Sequence, residues 1–189
     1  MIASRSAAVL LILLSAVTLL QDASSEPVVR ELGPFRVSFD LNTSIPYTVV
    51  VDEPVRSLVK GRSYITYGLG VRGQDCSIWI FVTDYIGMEY GKKLVEVPLD
   101  NDWKLVNDFL TEQGCSRINI TETLIDGTVG ALGGGVLPSG KIIFCASYAP
   151  EGVFVQGRHL VTTNCKLFST FPADETVSLL ESIHVERRL

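Results

Sequence analysis

Four cysteines, two histidines and several glycine-rich runs are the residues whose types and spacing could do chemistry in this 189-residue chain. Cys76, Cys115, Cys145 and Cys165 lie far apart, so the C-x-x-C pairing of zinc and redox sites is absent. Gly68-Leu69-Gly70-Val71-Arg72-Gly73 matches G-x-G-x-x-G, whose glycines admit a pyrophosphate to a helix N-terminus. Here the residues that follow, Ser77-Ile78-Trp79-Ile80-Phe81-Val82, carry strand periodicity, so the three glycines read as strand and hairpin positions. Residues 135–141 match the start of a phosphate-binding loop. Ile142 stands where that loop needs a hydroxyl, so Pro138-Ser139-Gly140 reads as a hairpin turn. His159 and His184 have no zinc-protease spacing, and no G-x-S-x-G elbow is present. Asp100, Asp102 and Asp108 resemble no calcium loop and read as a cap and a solvated face. The sequence therefore points to no catalytic residue, no metal ligand and no cofactor. Gly127, Gly130, Gly133, Gly134 and Gly135 crowd one segment, which reads as a bent or bulged strand. The functional alternative is close backbone approach by a ligand or partner.

Residues 1–25 read as a secretory signal peptide. Arg5 supplies the positive start, residues 7–20 are apolar and uncharged, and Ala23 and Ser25 precede a cut before Glu26. The run is shorter than the roughly 20 residues of a spanning helix, so no stable membrane span is expected after cleavage. An uncleaved signal would leave an N-terminal anchor. Export to the cell surface or beyond makes two disulfides the leading expectation, with free buried thiols as the alternative. Four cysteines allow three connectivities. A hairpin centred on Val155 would face Cys145 with Cys165 and leave Cys76 for Cys115. A one-residue shift would undo that pairing. Asn42-Thr43-Ser44 and Asn119-Ile120-Thr121 are glycosylation sequons, making Asn42 and Asn119 candidate acceptors.

The elements that must position these residues follow from periodicity. Residues 26–189 read as a single globular α+β domain. A mainly antiparallel sheet of six to eight strands is expected, with two helices packed on it. Strands are expected at residues 35–41 and 47–52, paired as an N-terminal hairpin, then at 63–71 and 76–84. Further strands are expected at 117–125, 128–137, 141–148 and 160–169, with residues 149–158 as a loop. Ile78, Ile80 and Val82 face one way and Trp79 and Phe81 the other, so that strand should be central and covered on both faces. One helix is expected near 101–113, capped by Asp100 and ended by Gly114, with Trp103, Val106, Phe109 and Leu110 inward. The second starts near Pro172 or Ala173, with Val177, Leu180 and Ile183 inward. Trp79 would meet Trp103, Phe109 or Val177, and its truncation would cost about 3–5 kcal/mol if it is core.

This order of elements, from Gly33-Pro34-Phe35-Arg36-Val37-Ser38-Phe39 to Leu179-Leu180-Glu181-Ser182-Ile183, resembles the PsbP-like α/β/α sandwich of extrinsic photosystem subunits and exported relatives. The resemblance covers most of residues 33–185 and rests on no specific motif. It implies a binding or assembly-support role and carries no site residue onto this chain.

With 16 Lys and Arg against 21 Asp and Glu, the net charge of −5 leaves no electrostatic footprint for nucleic acid. The sequence favours an exported, non-enzymatic binding or interaction module for an unknown protein or small-molecule ligand. A small hydrolase with a dispersed site around His159 is the alternative, as is a structural subunit of a surface assembly working through its sheet edges. The glycine-rich strand and the 149–158 loop are the surfaces expected to carry contacts.

Overall fold

The computed structural model describes residues 27–59, 62–90, 93–95, 101–157 and 159–188. The expected signal peptide and the expected cap Asp100 lie outside them. The chain is α+β, and every strand pair is antiparallel. The strands in chain order are β1 (Val28–Leu32), β2 (Phe35–Phe39), β3 (Thr48–Val51), β4 (Val55–Val59), β5 (Arg62–Arg72), β6 (Ser77–Ile86), β7 (Met88–Tyr90) and β8 (Lys93–Val95). Helix α1 (Asp102–Glu112) follows, then β9 (Ser116–Ile125), β10 (Thr128–Val136), β11 (Ile142–Tyr148), β12 (Phe154–Gln156) and β13 (His159–Ser169). Helix α2 (Ala173–Ser182) and β14 (His184–Arg187) complete the chain. Among the described residues the main sheet has nine strands. Seven of them form the path β3-β5-β6-β13-β11-β10-β9, while β4 and β12 are short additions on β5 and β13.

Period-two burial makes this sheet two-faced. Leu69, Ile78, Ile80, Val82 and Leu167 are fully buried on one face. A second sheet, β1-β2-β14, covers that face together with α2, through Phe35, Val37, Phe39 and Leu179. Each fully buried side chain of this size contributes about 1.5–3 kcal/mol of hydrophobic stabilisation. The expected hairpin of residues 35–41 with 47–52 is not formed: β2 pairs with β1 and β14, and β3 pairs with β5. The two-residue turn Gly33-Pro34 brings β1 back onto β2, and it pre-empts the pairing expected for β3.

Helix α1 covers the opposite face mainly over β9, β10 and β11, and reaches β13 through Phe109 and Asp102. Asn101 caps it, accepting from the Lys104 amide at 2.8 Å. Gly114 closes it at φ +70°, where a left-handed backbone is needed. There the Gly114 and Cys115 amides donate to the carbonyls of Thr111 and Leu110. Val106 and Leu110 are fully buried on the sheet, whereas Trp103, expected inward, is 47% exposed. On α2 the inner stripe is Thr176, Leu179 and Leu180, and Val177 is 39% exposed. Thr176 is tolerated inside because its hydroxyl lies 2.7 Å from that of Ser169. Among the described residues no helix is long and apolar enough to cross a membrane.

Candidate functional site

The incomplete cover left by α1 creates a groove. Trp79 and Phe81 of β6 form its floor, with ring planes 8° apart and centroids separated by 6.1 Å. They lie flat because Gly70 and Gly68 stand directly opposite them on β5. A Cβ at Gly70 would sit 2.7 Å from the Trp79 ring, and one at Gly68 would sit 3.3 Å from Phe81. The first two glycines of the dinucleotide-like motif are therefore seats for aromatic rings. Phe109 of α1 stacks on Phe168 of β13 at 4.0 Å and, with Ile143, forms the wall. Phe81 meets Phe168 at 5.8 Å. Asp52, Gln113 and Thr170 supply the polar rim of a space of about 420 Å³. The groove runs on past Trp79 toward Arg72 and Asp75, and the Arg72 guanidinium lies 5.2 Å from the Trp79 centroid. Trp79 and Phe81 are thus partly covered, not buried on both sides as the alternation implied.

The glycine-rich β10 has a related explanation. A Cβ at Gly133 would meet Val106 at 2.6 Å, and one at Gly135 would meet Cys115 at 2.7 Å. What approaches this strand closely is α1 and the residue Cys115 just past its end, and a register shift between Gly134 and Val136 supplies the expected bulge. Gly140 turns the β10–β11 hairpin at φ +85°, and Lys141 Nζ donates to the Asp75 carbonyl at 3.0 Å. No phosphate cradle is built there.

Both expected disulfides are corrected: all four cysteines are free. Strand β12 makes its own tight hairpin with the start of β13, so the loop is not centred on Val155. Cys145 pairs with Phe168, and Cys165 pairs with Tyr148. Three positions separate Cys165 from Phe168, an odd number, so Cys145 and Cys165 face opposite sides of the sheet. Cys145 and Cys115 pack around α1, whereas Cys165 and Cys76 pack in the larger core. Each expected pair is divided by the sheet, beyond the reach of an S–S bond. Burial pushes the Cys145 and Cys165 thiols up to about 12. A thiol-specific reagent at pH 8 should modify the half-buried Cys76 and Cys115 and spare Cys145 and Cys165 until the chain is unfolded. Fewer than four thiols in denaturant without reductant would contradict this arrangement.

The remaining expected residues do not converge. Asn42 and Asn119 are exposed, the latter on edge strand β9. His159 opens β13, with Nδ1 3.2 Å from the Gly87 carbonyl. His184 begins β14, past the end of α2, with Nδ1 2.7 Å from Asp126 Oδ1. Among the described residues no group of three or more His, Cys, Asp or Glu side chains could hold a metal ion. Of the acidic trio, Asp102 turns inward and accepts from Ser147 Oγ at 2.7 Å and Asn164 Nδ2 at 3.3 Å, tying α1 to the sheet.

Sequence reasoning missed a polar cluster beneath β14. Arg187 holds both Asp84 oxygens, at 2.6 and 3.1 Å, and Glu151 at 3.0 Å. Thr163 Oγ1 accepts from Arg187 at 2.8 Å and donates to Asp84 at 2.9 Å. Burial works against the Arg187 charge, yet the hydrogen bonds and charge of Asp84, with Glu151 added, hold its pKa above the ordinary value. No local pattern announces this cluster, because Asp84 and Arg187 are 103 positions apart. Compared with known proteins, the chain matches no family model, no curated protein and no solved structure.

Proposed function

We propose that this chain is an exported, non-enzymatic binding module whose binding surface is the Trp79–Phe81 groove. The observation that carries this reading is the groove itself. Four aromatic rings line a space of about 420 Å³ with a thin polar rim, within the roughly 300–1,000 Å³ of small-molecule sites. Two glycines opposite the floor rings keep them flat, which a strand serving only as core does not need. Export rests on residues 1–25 alone, since the disulfides no longer support it. A PsbP-like architecture remains our proposal on element order, and its implied binding role agrees with the groove.

The chain purified from its native source should carry a stoichiometric small molecule, or bind one from a metabolite extract, identified by mass spectrometry. Trp79→Ala should abolish that binding while costing about 1–2 kcal/mol in urea unfolding, less than a fully buried tryptophan. Retained binding with a stability loss above about 3 kcal/mol would make Trp79 a core residue and remove the groove from consideration. Turnover in a hydrolase screen, abolished by His159→Ala with folding intact, would replace this reading with the enzyme.

A further inference from the structure

We propose that the groove takes an organic cation, an ammonium group carrying an apolar body, held over the face of Phe81 beside Asp52. This inference rests on the groove being the binding surface. Among the described residues its lining carries several aromatic rings and a single charged side chain, Asp52. Backbone pairing places Asp52: its amide donates to the Gly68 carbonyl at 2.9 Å, next to the site where Phe81 faces Gly68. Asp52 Oδ2 and Phe81 Cε1 lie 3.2 and 3.3 Å from the point a Gly68 Cβ would occupy. A cation held over the open face of Phe81 would therefore have this carboxylate close by. Among the described residues no cation pairs with Asp52 and none lies over Phe81, whereas the neighbouring Trp79 already holds the Arg72 guanidinium at 5.2 Å. The net charge of −5 acts in the same direction at longer range. Asp75 and Arg72 stand at the far, open end of the groove, where they offset each other. The apolar body of the ligand would lie against Phe168, Phe109 and Ile143.

The test uses the full chain carrying Trp103→Phe, so that Trp79 is the sole tryptophan reporter. Three probes of similar shape are titrated at pH 7: benzylammonium, benzyl alcohol and phenylacetate. The cation should bind about tenfold tighter than the alcohol, the combined effect of a ring face and an ion pair with the exposed Asp52. Asp52→Asn should remove about threefold to fivefold of that preference and leave the alcohol unchanged. Phe81→Leu, which keeps apolar volume without the ring, should remove most of the rest. Equal binding of all three probes would overturn the cation and leave the groove standing. Preference for phenylacetate would overturn it in favour of Arg72 as the anchor. If no probe perturbs Trp79, the cation inference and the binding surface beneath it both fall.

Discussion

Replacing Arg187 with methionine should destabilise the chain by about 3–5 kcal/mol, because it leaves the Asp84 carboxylate buried without its cation. The side chains of Arg187 and Asp84 are only 11% and 8% exposed. The guanidinium also donates to Thr163 and Glu151 and packs 4.3 Å from the centroid of Phe35. Methionine keeps much of the apolar stem over that ring, so the loss measures the charge and its hydrogen bonds. The cost falls on β14, which is held to β2 by a register ending at Arg187 and Phe35. Urea unfolding of Arg187→Met, Asp84→Asn and the double variant forms a cycle. The double variant should be more stable than the sum of the two single losses implies, since removing both charges leaves neither uncompensated. Additive losses, or a loss below about 1 kcal/mol in Arg187→Met, would show that water solvates Asp84 and the cluster is not a lock.

Much of the sheet was legible because its signal is local. Ile65, Tyr67, Leu69 and Val71 alternate as Ile78, Ile80 and Val82 do, and parity alone assigns them to one face. Helix α1 was legible from the stripe Val106, Phe109, Leu110 and from Gly114. Parity could not say what lies over the other face. That depends on how far α1 extends across the sheet, and it stops short of β6, so residues expected as core became a groove. The cysteine pairing failed for a similar reason. A disulfide needs a register, and three residues at 154–156 folding back as β12 were enough to change it. The glycines carried a signal that was misassigned. Gly68, Gly70 and Gly133 mark where a ring or a helix lies against the backbone, and only cross-strand register tells such a seat from a phosphate-binding loop. The cluster at Arg187 lay beyond reach altogether, because its partners come from β6, β13 and the loop before β12.

The register that removes the disulfides also sets how the fold responds to alkali. Burial holds the Cys145 and Cys165 thiols neutral, moving both from the usual 9.0 to about 12. In the unfolded chain they ionise at their ordinary value. Below pH 9 both states carry the proton, and the stability it contributes is fully present. As pH rises from 9 toward 12 the unfolded state loses its protons first, and the fold weakens by about 1.4 kcal/mol per pH unit for each thiol. Over three units this approaches about 4 kcal/mol per thiol. Tyr148 and Tyr85, raised by the same burial, add to the slope. A Cys145→Ala/Cys165→Ala chain retains those tyrosines, and Tyr148 loses only the part of its shift that Cys165 supplies, so the difference between the two pH profiles reports the thiols and their contact with Tyr148. Urea midpoints between pH 8.5 and 10.5 should fall more steeply in the parent, by up to two protons in slope. Parallel profiles would mean the two thiols ionise as easily in the folded chain as in the unfolded one, and the register that seals each within its own face of the sheet would be wrong.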